Sequence, residues 1–256
     1  SESDNAAIRG TIEAQGGGKR HIVTTRVEHP AVRGVFHYLE KQGFRLTEVP
    51  VDRNGALDLN FLEKSLTPDT AIVSVMWANN ETGVIFPIEK IADMVKSRGI
   101  VFHTDAVQAA GKLPIDMSRI PVDLLTISGH KLHAPKGVGA LYARKGTKLT
   151  PLIIGGHQER GKRAGTENVP GVVGLGRASQ LAMSNFDEDV HRLTTLRDRL
   201  EKGLLQNSKG AHVNGSDRLP NTLNISFEYI EGESILLLLD DLGVSASSGS
   251  ACTSGS

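Results

Sequence analysis

The chain has 256 residues, 39% of them hydrophobic, which is enough for one large domain alone or with a smaller one. Its 29 basic residues equal its 29 acidic residues, so no net charge favours a nucleic acid, an anionic membrane surface or a basic partner. The longest aliphatic run, 235–239, is far shorter than the roughly 20 residues of a membrane helix, and no signal segment opens the chain. These features predict a soluble, cytoplasmic, globular protein.

Short β-branched runs alternate with amphipathic stretches between about residues 20 and 145. This alternation is typical of βαβ units, so the sequence predicts an α/β fold around a mostly parallel sheet. Apolar residues at helical spacing predict helices in the gaps, over 32–39 and 88–95. The predicted strands are 22–25, 72–76, 100–103, 124–127 and 139–142.

Polar residues stand at or beyond the ends of four predicted strands: His29, Asn80, Asp105 and Ser128. In open α/β sheets, ligands bind in the crevice beyond the carboxyl ends of the strands. Four polar residues that arrive there from separate strands therefore predict one shared site.

The later part of the chain has a different pattern. Residues 155–168 contain several glycines and few apolar side chains, which predicts a long loop that leaves the first domain. Leucines in phase over 190–204 predict a helix, and alternation over 223–227 predicts a strand of a smaller α+β region. We expect a large domain over 1–168 and part of a small domain over 169–256.

The run Ser128-Gly129-His130-Lys131 places a hydroxyl, an imidazole and an amine at the end of a predicted strand. A lysine amine forms a Schiff base with a carbonyl, and the other two groups can donate hydrogen bonds to phosphate oxygens. The combination suits a phosphorylated aldehyde. The alternative, a solvated lysine after a turn, is the commoner origin of so short a motif.

Asp105 follows another predicted strand, and Gln108 stands three residues later. A carboxylate there can pair with a pyridinium nitrogen and so keep the pyridoxal phosphate ring an electron sink. Taken alone, Asp105 could equally cap a helix over 106–110. An aspartate and a lysine that each follow their own strand are what a pyridoxal phosphate site requires, and this conjunction favours the functional interpretation.

The single cysteine, Cys252, excludes an intramolecular disulfide and the usual cysteine-rich zinc sites. A lone cysteine is more often a small core residue. However, the surrounding stretch, 245–256, is so small and polar that we expect it to be mobile and exposed. A free thiol is strongly nucleophilic. Because the same sequence also contains Asp105 and Lys131, we interpret Cys252 as a catalytic nucleophile.

Seven motifs, in order and over nearly the whole chain, resemble those of the cysteine desulfurases, a class-V aminotransferase-like family of fold-type I pyridoxal phosphate enzymes. The segments 77–83, 157–161 and 227–233 are most similar to the nitrogen-fixation branch. The seven motifs lie at 1–5, 27–30, 79–83, 103–108, 128–131, 163–168 and 247–253.

The resemblance implies that the protein converts L-cysteine to L-alanine. Lys131 would hold the cofactor covalently and act as the base, and Cys252 would carry the sulfur as a persulfide. An iron–sulfur scaffold or another thiol acceptor would then receive that sulfur for iron–sulfur cluster assembly. No stable metal site is expected, although Cys252 is a candidate transient iron–sulfur ligand.

The same resemblance implies roles for the remaining site residues. Asn80 would contact both the ring hydroxyl and the substrate, and His29 would stack on the ring and move a proton. A histidine before proline is more often a turn residue, which is the alternative for His29. Thr166 would reach the phosphate of a neighbouring subunit, which implies a homodimer. The cofactor-binding residues are then Ser1, Asn80, Asp105, Gln108, Ser128, His130, Lys131 and Thr166.

Three other functions compete with this interpretation. An aminotransferase or a selenocysteine lyase would share Lys131 and Asp105 but would leave the Cys252 loop unexplained. A non-catalytic scaffold would be expected to lose Lys131 or Cys252, and a nicotinamide-binding protein would need a GxGxxG motif after the first strand, where none stands.

The family resemblance calls for sequence on both sides of this chain, which opens inside the phosphate-binding motif. We therefore expect a fragment with little or no activity. The small domain of a longer chain would supply an arginine that binds the substrate carboxylate.

Overall fold

A six-stranded sheet with helices on both faces forms most of residues 1–246, the part of the chain that the computed structural model describes. The predicted α/β fold is confirmed. The strands are β1 His21–Thr25, β2 Arg45–Val49, β3 Thr70–Ser74, β4 Val101–Asp105, β5 Leu124–Ser128, β6 Gly139–Ala143, β7 Ala211–Val213 and β8 Ile225–Phe227. The helices are α1 Glu2–Ala14, α2 Pro30–Lys41, α3 Leu59–Ser65, α4 Ile88–Lys96, α5 Gln158–Gly161, α6 Val169–Ser184, α7 Phe186–Asn207 and α8 Gly232–Asp241.

The strand order is β2-β1-β3-β4-β5-β6, and the first five strands are parallel. Helical crossovers such as α2 and α4 return the chain to the starting edge, as parallel pairing requires. Only a 3₁₀ turn, Gly129–Leu132, and a short loop join β5 to β6, so β6 runs antiparallel to β5. The five predicted strands are confirmed, and β2 is an additional edge strand.

The two faces of the large sheet bury different layers. On one face, α3 and α4 pack against side chains of β1, β3 and β4, which include Val23, Val73 and Phe102. On the opposite face, Ile22 and Ile72 pack against α1 and α2. Because side chains alternate between the faces of a strand, each buried strand serves both layers. The predicted helices over 32–39 and 88–95 are confirmed.

The carboxyl-terminal elements pack more loosely. Ala178 of α6 lies against Leu132 and Ala134, which follow β5. The helix α7 exposes about half of Leu196 and of Leu200, and β8 pairs with β7 in an antiparallel sheet. The predicted helix over 190–204 and the predicted strand near 225 are confirmed. The division of the chain after residue 168 stays a prediction.

Among residues 1–246, no helix is long and apolar enough to cross a membrane.

The helix α1, which the sequence pattern did not predict, packs against β3, β4, β5 and β6. Gly10 lets this helix approach the chain beyond β6. A Cβ atom at Gly10 would lie 2.5 Å from the carbonyl oxygen of Thr150, and the Thr150 amide donates to the Gly10 carbonyl at 3.1 Å. The close approach therefore requires glycine.

We predict that Gly10→Ala destabilises the protein by about 1–3 kcal/mol because the overlap with the Thr150 backbone outweighs the helix propensity of alanine, worth about 1 kcal/mol. The matched control is Gly34→Ala in α2, where an added Cβ meets no atom within 4 Å. That variant should gain about 0.5–1 kcal/mol. Chemical denaturation of both variants measures the two effects, and equal shifts would contradict the packing role of Gly10.

Glu28 joins the carboxyl end of β1 to the segment that follows β3. Its Oε1 accepts hydrogen bonds from the Met76 amide at 2.8 Å and from the Thr25 hydroxyl at 2.9 Å. Burial raises the pKa of Glu28 to about 8, although these two bonds lower it, and the charges of Asp105 and Asp4 raise it further. Glu28 is therefore mostly protonated at neutral pH.

We predict that Glu28→Gln makes the free energy of unfolding less dependent on pH. The folded pKa of Glu28 lies above its ordinary value of 4.5, so the stability that its proton provides is complete below pH 4.5 and is lost as the pH rises towards 8. As the pH rises across that window, the free energy of unfolding of Glu28→Gln should increase relative to wild type by on the order of 1 kcal/mol per pH unit. Denaturation curves at pH 5, 6, 7 and 8 measure it, with exposed Glu13→Gln as the control. Parallel stability profiles for wild type and Glu28→Gln would refute the assignment.

Candidate active site

The carboxyl ends of β1, β3, β4 and β5 meet at one edge of the large sheet, as the sequence predicted. Hydrogen bonds join the segments beyond these ends. The Trp77 amide donates to the Asp105 carbonyl at 2.8 Å, and the Ala106 amide donates to the Thr126 carbonyl at 2.9 Å. The Asn79 side chain donates to the carbonyl of Val27 at 3.0 Å. The candidate residues at these ends thus share one rigid frame.

Lys131 lies in the 3₁₀ turn that directly follows β5. The turn is tight at Gly129, where a Cβ would come within 2.9 Å of the Val138 carbonyl oxygen. Lys131 is half-buried, and within residues 1–246 its amine makes no hydrogen bond or ion pair. Its positive charge acts on His29 and Lys112, since it helps burial to lower the pKa of each. A primary amine is the group that can form a Schiff base with a carbonyl ligand.

Asp105 is the last residue of β4 and is 5% exposed. Its Oδ1 accepts a hydrogen bond from the Val107 amide at 2.9 Å. Burial raises the pKa of Asp105 to about 7, the charge of Asp4 raises it further, and the Val107 bond lowers it. Residues 107–112 form turns, so the alternative role of Asp105 as the cap of a helix over 106–110 is wrong. A carboxylate in such a place favours a proton or a cation beside it.

Ser128 and His130 stand at the start of the 3₁₀ turn, and the Ser128 hydroxyl lies 2.8 Å from Nδ1 of His130. Ser1 precedes α1 as its N-cap, its side chain is 79% exposed, and it forms no capping hydrogen bond. Ser1 also lines an open cleft with Pro30, the neighbour of His29. Hydroxyl and imidazole groups beside a helix amino terminus are suitable donors to a phosphate.

His29 caps α2, and its Nδ1 accepts a hydrogen bond from the Ala31 amide at 3.1 Å. Burial lowers the pKa of His29 below 6.5, and the charge of Lys131 lowers it further. The ring is therefore mostly neutral at pH 7, with its proton on Nε2 because Nδ1 is an acceptor. His29 is thus a capping residue of α2, and its Nε2–H is available to a ligand.

Asn80 lies in a turn that Asn79 organises. The Asn79 Oδ1 accepts hydrogen bonds from the amides of Glu81 and Thr82 at 3.0 and 2.9 Å. The Asn80 amide group donates to the Glu81 carboxylate at 2.9 Å. Gln108 is half-buried, and its carbonyl accepts from the Lys112 amine at 3.2 Å.

Thr166 is the remaining predicted site residue among residues 1–246. Thr166 is exposed in the loop before α6, and it makes no hydrogen bond within the described part of the chain. The same loop contacts the start of α1, where the Arg163 guanidinium donates to Glu2 at 2.9 Å. Cys252 lies outside residues 1–246, so its predicted role stays a prediction.

Sequence reasoning assigned no role to three buried ionisable residues near the site: Asp4, Glu28 and His103. His103 lies on the same face of β4 as Asp105, and its Nε2 is 3.8 Å from Oδ1 of Asp4. A signal was present in the sequence for Asp4. It stands three and four residues before Ala7 and Ile8, so a helix there places a carboxylate in phase with a buried apolar face.

These residues fit pyridoxal phosphate on three physical grounds. The Lys131 amine is free to bind an aldehyde. Burial first and then the charge of Asp4 raise the pKa of Asp105, and a cationic ring nitrogen beside this buried carboxylate would favour its charged form. Ser128 and His130 offer donors to a phosphate at the end of the neighbouring strand.

Known proteins match the chain closely. The aminotransferase class-V family matches residues 1–256. The cysteine desulfurase of Nostoc sp. is 59% identical over all of this chain and 64% of its own length. The cysteine desulfurase NifS of Azotobacter vinelandii is 54% identical over the same shares of the two chains. A solved structure named NifS-like protein has a TM-score of 0.92 at 43% identity, covering 96% of this chain and 68% of its own.

The chain thus spans 64% of the length of the first curated relatives that it matches. The family match covers every residue of the chain, and the structural match preserves the mostly parallel sheet whose edge carries Asp105 and Lys131. The chain belongs to the aminotransferase class-V family.

Proposed function

We propose that the protein is a pyridoxal phosphate-dependent cysteine desulfurase that converts L-cysteine to L-alanine and leaves a persulfide on Cys252. The observation that carries the proposal is the pairing of β4 with β5. It places the buried Asp105 carboxylate beside the strand that leads to the unpaired Lys131 amine. The relatives named cysteine desulfurase, at 54–59% identity, support the choice of substrate and reaction.

Pyridoxal phosphate, when bound, supplies an electron sink that stabilises negative charge at the substrate α-carbon. Lys131 would hold the aldehyde carbon, and its amine, once released by the substrate, would take the α-proton and later return a proton. Asp105 would hold the proton of the ring nitrogen. Ser128 and His130 would bind the phosphate, together with Ser1.

His29 and Asn80 would act on the substrate side of the site. Neutral His29 carries its proton on Nε2. This proton can be donated to a leaving group or to an atom that develops negative charge. Asn80 would orient the substrate. The proposed roles of Gln108 at the ring hydroxyl and of Thr166 at the phosphate of a neighbouring subunit come from the family resemblance.

The sulfur-transfer step needs the thiol of Cys252 as its thiolate. The thiolate attacks the substrate sulfur, an S–S bond forms, and the C–S bond breaks. The electron pair of the broken bond remains with carbon, which is protonated to give alanine. One cysteine and one enzyme thiol thus become one alanine and one enzyme persulfide, with no external oxidant.

The wider setting follows from the same proposal. The persulfide would pass its sulfur to an iron–sulfur scaffold or another thiol acceptor in the cytoplasm, and Cys252 would be a transient iron–sulfur ligand at most. Relatives named NifS favour iron–sulfur cluster assembly for nitrogen fixation. A homodimer would let Thr166 reach the phosphate of the partner subunit.

We predict that Lys131→Ala abolishes the covalent attachment of pyridoxal phosphate and the yellow colour of the purified protein. The attachment is measured by borohydride reduction followed by mass spectrometry of the peptide that contains residue 131. Lys136→Ala, which removes an exposed amine five residues away, should retain both properties. A reducible cofactor adduct in Lys131→Ala would contradict the assignment of Lys131 as the residue that binds the cofactor covalently.

We predict that, in the full-length protein, Cys252→Ala retains cofactor binding and the spectral response to added cysteine but loses persulfide formation, with alanine release reduced at least 100-fold. Alanine and sulfide are measured together, with a reductant present. Ser250→Ala in the same stretch is the matched control and should release alanine at the wild-type rate. Undiminished alanine release by Cys252→Ala would show that another group receives the sulfur.

A further inference from the structure

Two consecutive asparagines, Asn79 and Asn80, use their side chains differently. Nδ2 of Asn79 donates to the Val27 carbonyl at 3.0 Å. Its Oδ1 accepts from the amides of Glu81 and Thr82 at 3.0 and 2.9 Å. Within residues 1–246, the Asn80 side chain forms a single hydrogen bond, from its Nδ2 to Oε1 of Glu81 at 2.9 Å. Asn79 therefore builds the turn, and Asn80 keeps an oxygen and a second N–H for a ligand.

The hydrogen bond to Glu81 fixes which end of the Asn80 amide faces which way. A carboxylate accepts hydrogen bonds and does not donate them, so the nitrogen of the amide faces Glu81 and Oδ1 faces away. The last torsion of an asparagine side chain has a broad and roughly two-fold preference, so the side chain alone does not choose between these orientations. Glu81 thus selects the orientation in which Asn80 meets a ligand.

The backbone of Glu81 is itself held by side chains on both sides. Its amide donates to Oδ1 of Asn79 at 3.0 Å, and its carbonyl accepts from Nδ2 of Asn224 at 3.1 Å. Asn224 is anchored in turn, because its Oδ1 accepts from the Asn214 side chain at 2.8 Å. The half-buried Glu81 carboxylate therefore extends from a backbone that hydrogen bonds fix in place.

We infer that Glu81 is a positioning residue: its carboxylate orients the Asn80 amide for the ligand at this edge of the sheet. The inference rests on the proposed function, in which Asn80 contacts the ring hydroxyl of pyridoxal phosphate and the substrate. It deepens that function by making recognition through Asn80 depend on the side chain of the next residue.

A double-mutant cycle separates this role from general support of the fold and from a direct effect of the Glu81 charge, because both of these would act equally with and without Asn80. Glu81→Met removes the hydrogen-bond acceptor but keeps the length of the side chain. Glu81→Gln removes the charge but keeps one acceptor oxygen. Each change is made in wild type and in Asn80→Ala. The dissociation constant of pyridoxal phosphate is measured by titration of the cofactor-free full-length protein.

We expect Glu81→Met to weaken pyridoxal phosphate binding about fivefold in wild type and by less than about twofold in the Asn80→Ala background. Glu81→Gln should have a smaller effect, because glutamine can still accept the bond from Asn80 but can also reverse its own amide. The matched control Glu89→Gln, which removes an exposed carboxylate of α4, should leave the affinity unchanged.

The visible absorption of the bound cofactor gives a second readout, since it depends on protonation next to the ring hydroxyl. The pH at which this absorption changes should shift in the same direction in Asn80→Ala and in Glu81→Met. The double variant should shift no further than Asn80→Ala alone. A substitution that only loosened the fold would not move this pH.

Equal weakening by Glu81→Met in both backgrounds, or no weakening in wild type, would overturn the inference. An unchanged affinity in Asn80→Ala would overturn it as well, since Glu81 would then have no ligand contact to orient. These results would leave the proposed function standing, because wild type would still bind the cofactor. If the wild-type protein did not bind pyridoxal phosphate, the proposed function itself would be wrong, and the inference would be lost with it.

Discussion

The parallel pairing of β4 with β5 is the constraint on which the candidate site depends. Its register sets Asp105 opposite Thr126, so β5 continues for two more residues and ends at Ser128. The 3₁₀ turn that follows is short enough to keep the Lys131 amine at the same edge. Neither the carboxylate nor the amine needs a long loop to hold it, which suits a site whose groups must not move apart.

The polar layer beneath this edge is a cost that the rest of the fold offsets. The face that packs on α3 and α4 is almost wholly apolar near β3 and β4. On the opposite face, the carboxyl-terminal halves of these strands carry Ser74, His103 and Asp105, against which α1 sets Asp4. Buried polar groups contribute less stability than apolar ones of the same size. The chain therefore gives up stability on the one face that is next to the proposed cofactor.

The sequence pattern predicted the central strands well because they are buried on both faces and rich in β-branched residues. It missed β2, whose residues Arg45 and Glu48 leave little alternation to recognise at an exposed edge. The segment after Asp105 has alanines that favour a helix, but the Asp105 side chain binds the Val107 amide and Gly111 adopts a φ of +72°. The left-handed backbone at Gly111 and its close contact with Leu132 end these turns before a helix can continue.

The site residues divide in the same way. Lys131 and Asp105 could be placed from the sequence because each follows a predicted strand. The burial of Asp4 beside His103 could not, because it depends on how α1 packs across four strands, which no local sequence pattern predicts. The same holds for Glu28, whose raised pKa comes from burial against the segment after β3, about fifty residues away in the chain.

The turn over 79–83 forms hydrogen bonds both with the candidate site and with the carboxyl-terminal elements. On one side, Asn79 donates to the Val27 carbonyl and holds the turn that carries Asn80. On the other side, the Leu219 amide donates to the Gly83 carbonyl at 2.8 Å, and Asn224 donates to the carbonyl of Glu81 at 3.1 Å.

Packing around the 79–83 turn is tight. A Cβ at Gly83 would lie 2.6 Å from the Thr222 side chain, and Gly83 has a φ of +76°. Residues 219–224 are therefore in direct contact with the backbone on either side of Asn80. These contacts join the β7–β8 region to the turn that carries Asn80, whereas Asp105 and the turn of Lys131 are held by the sheet.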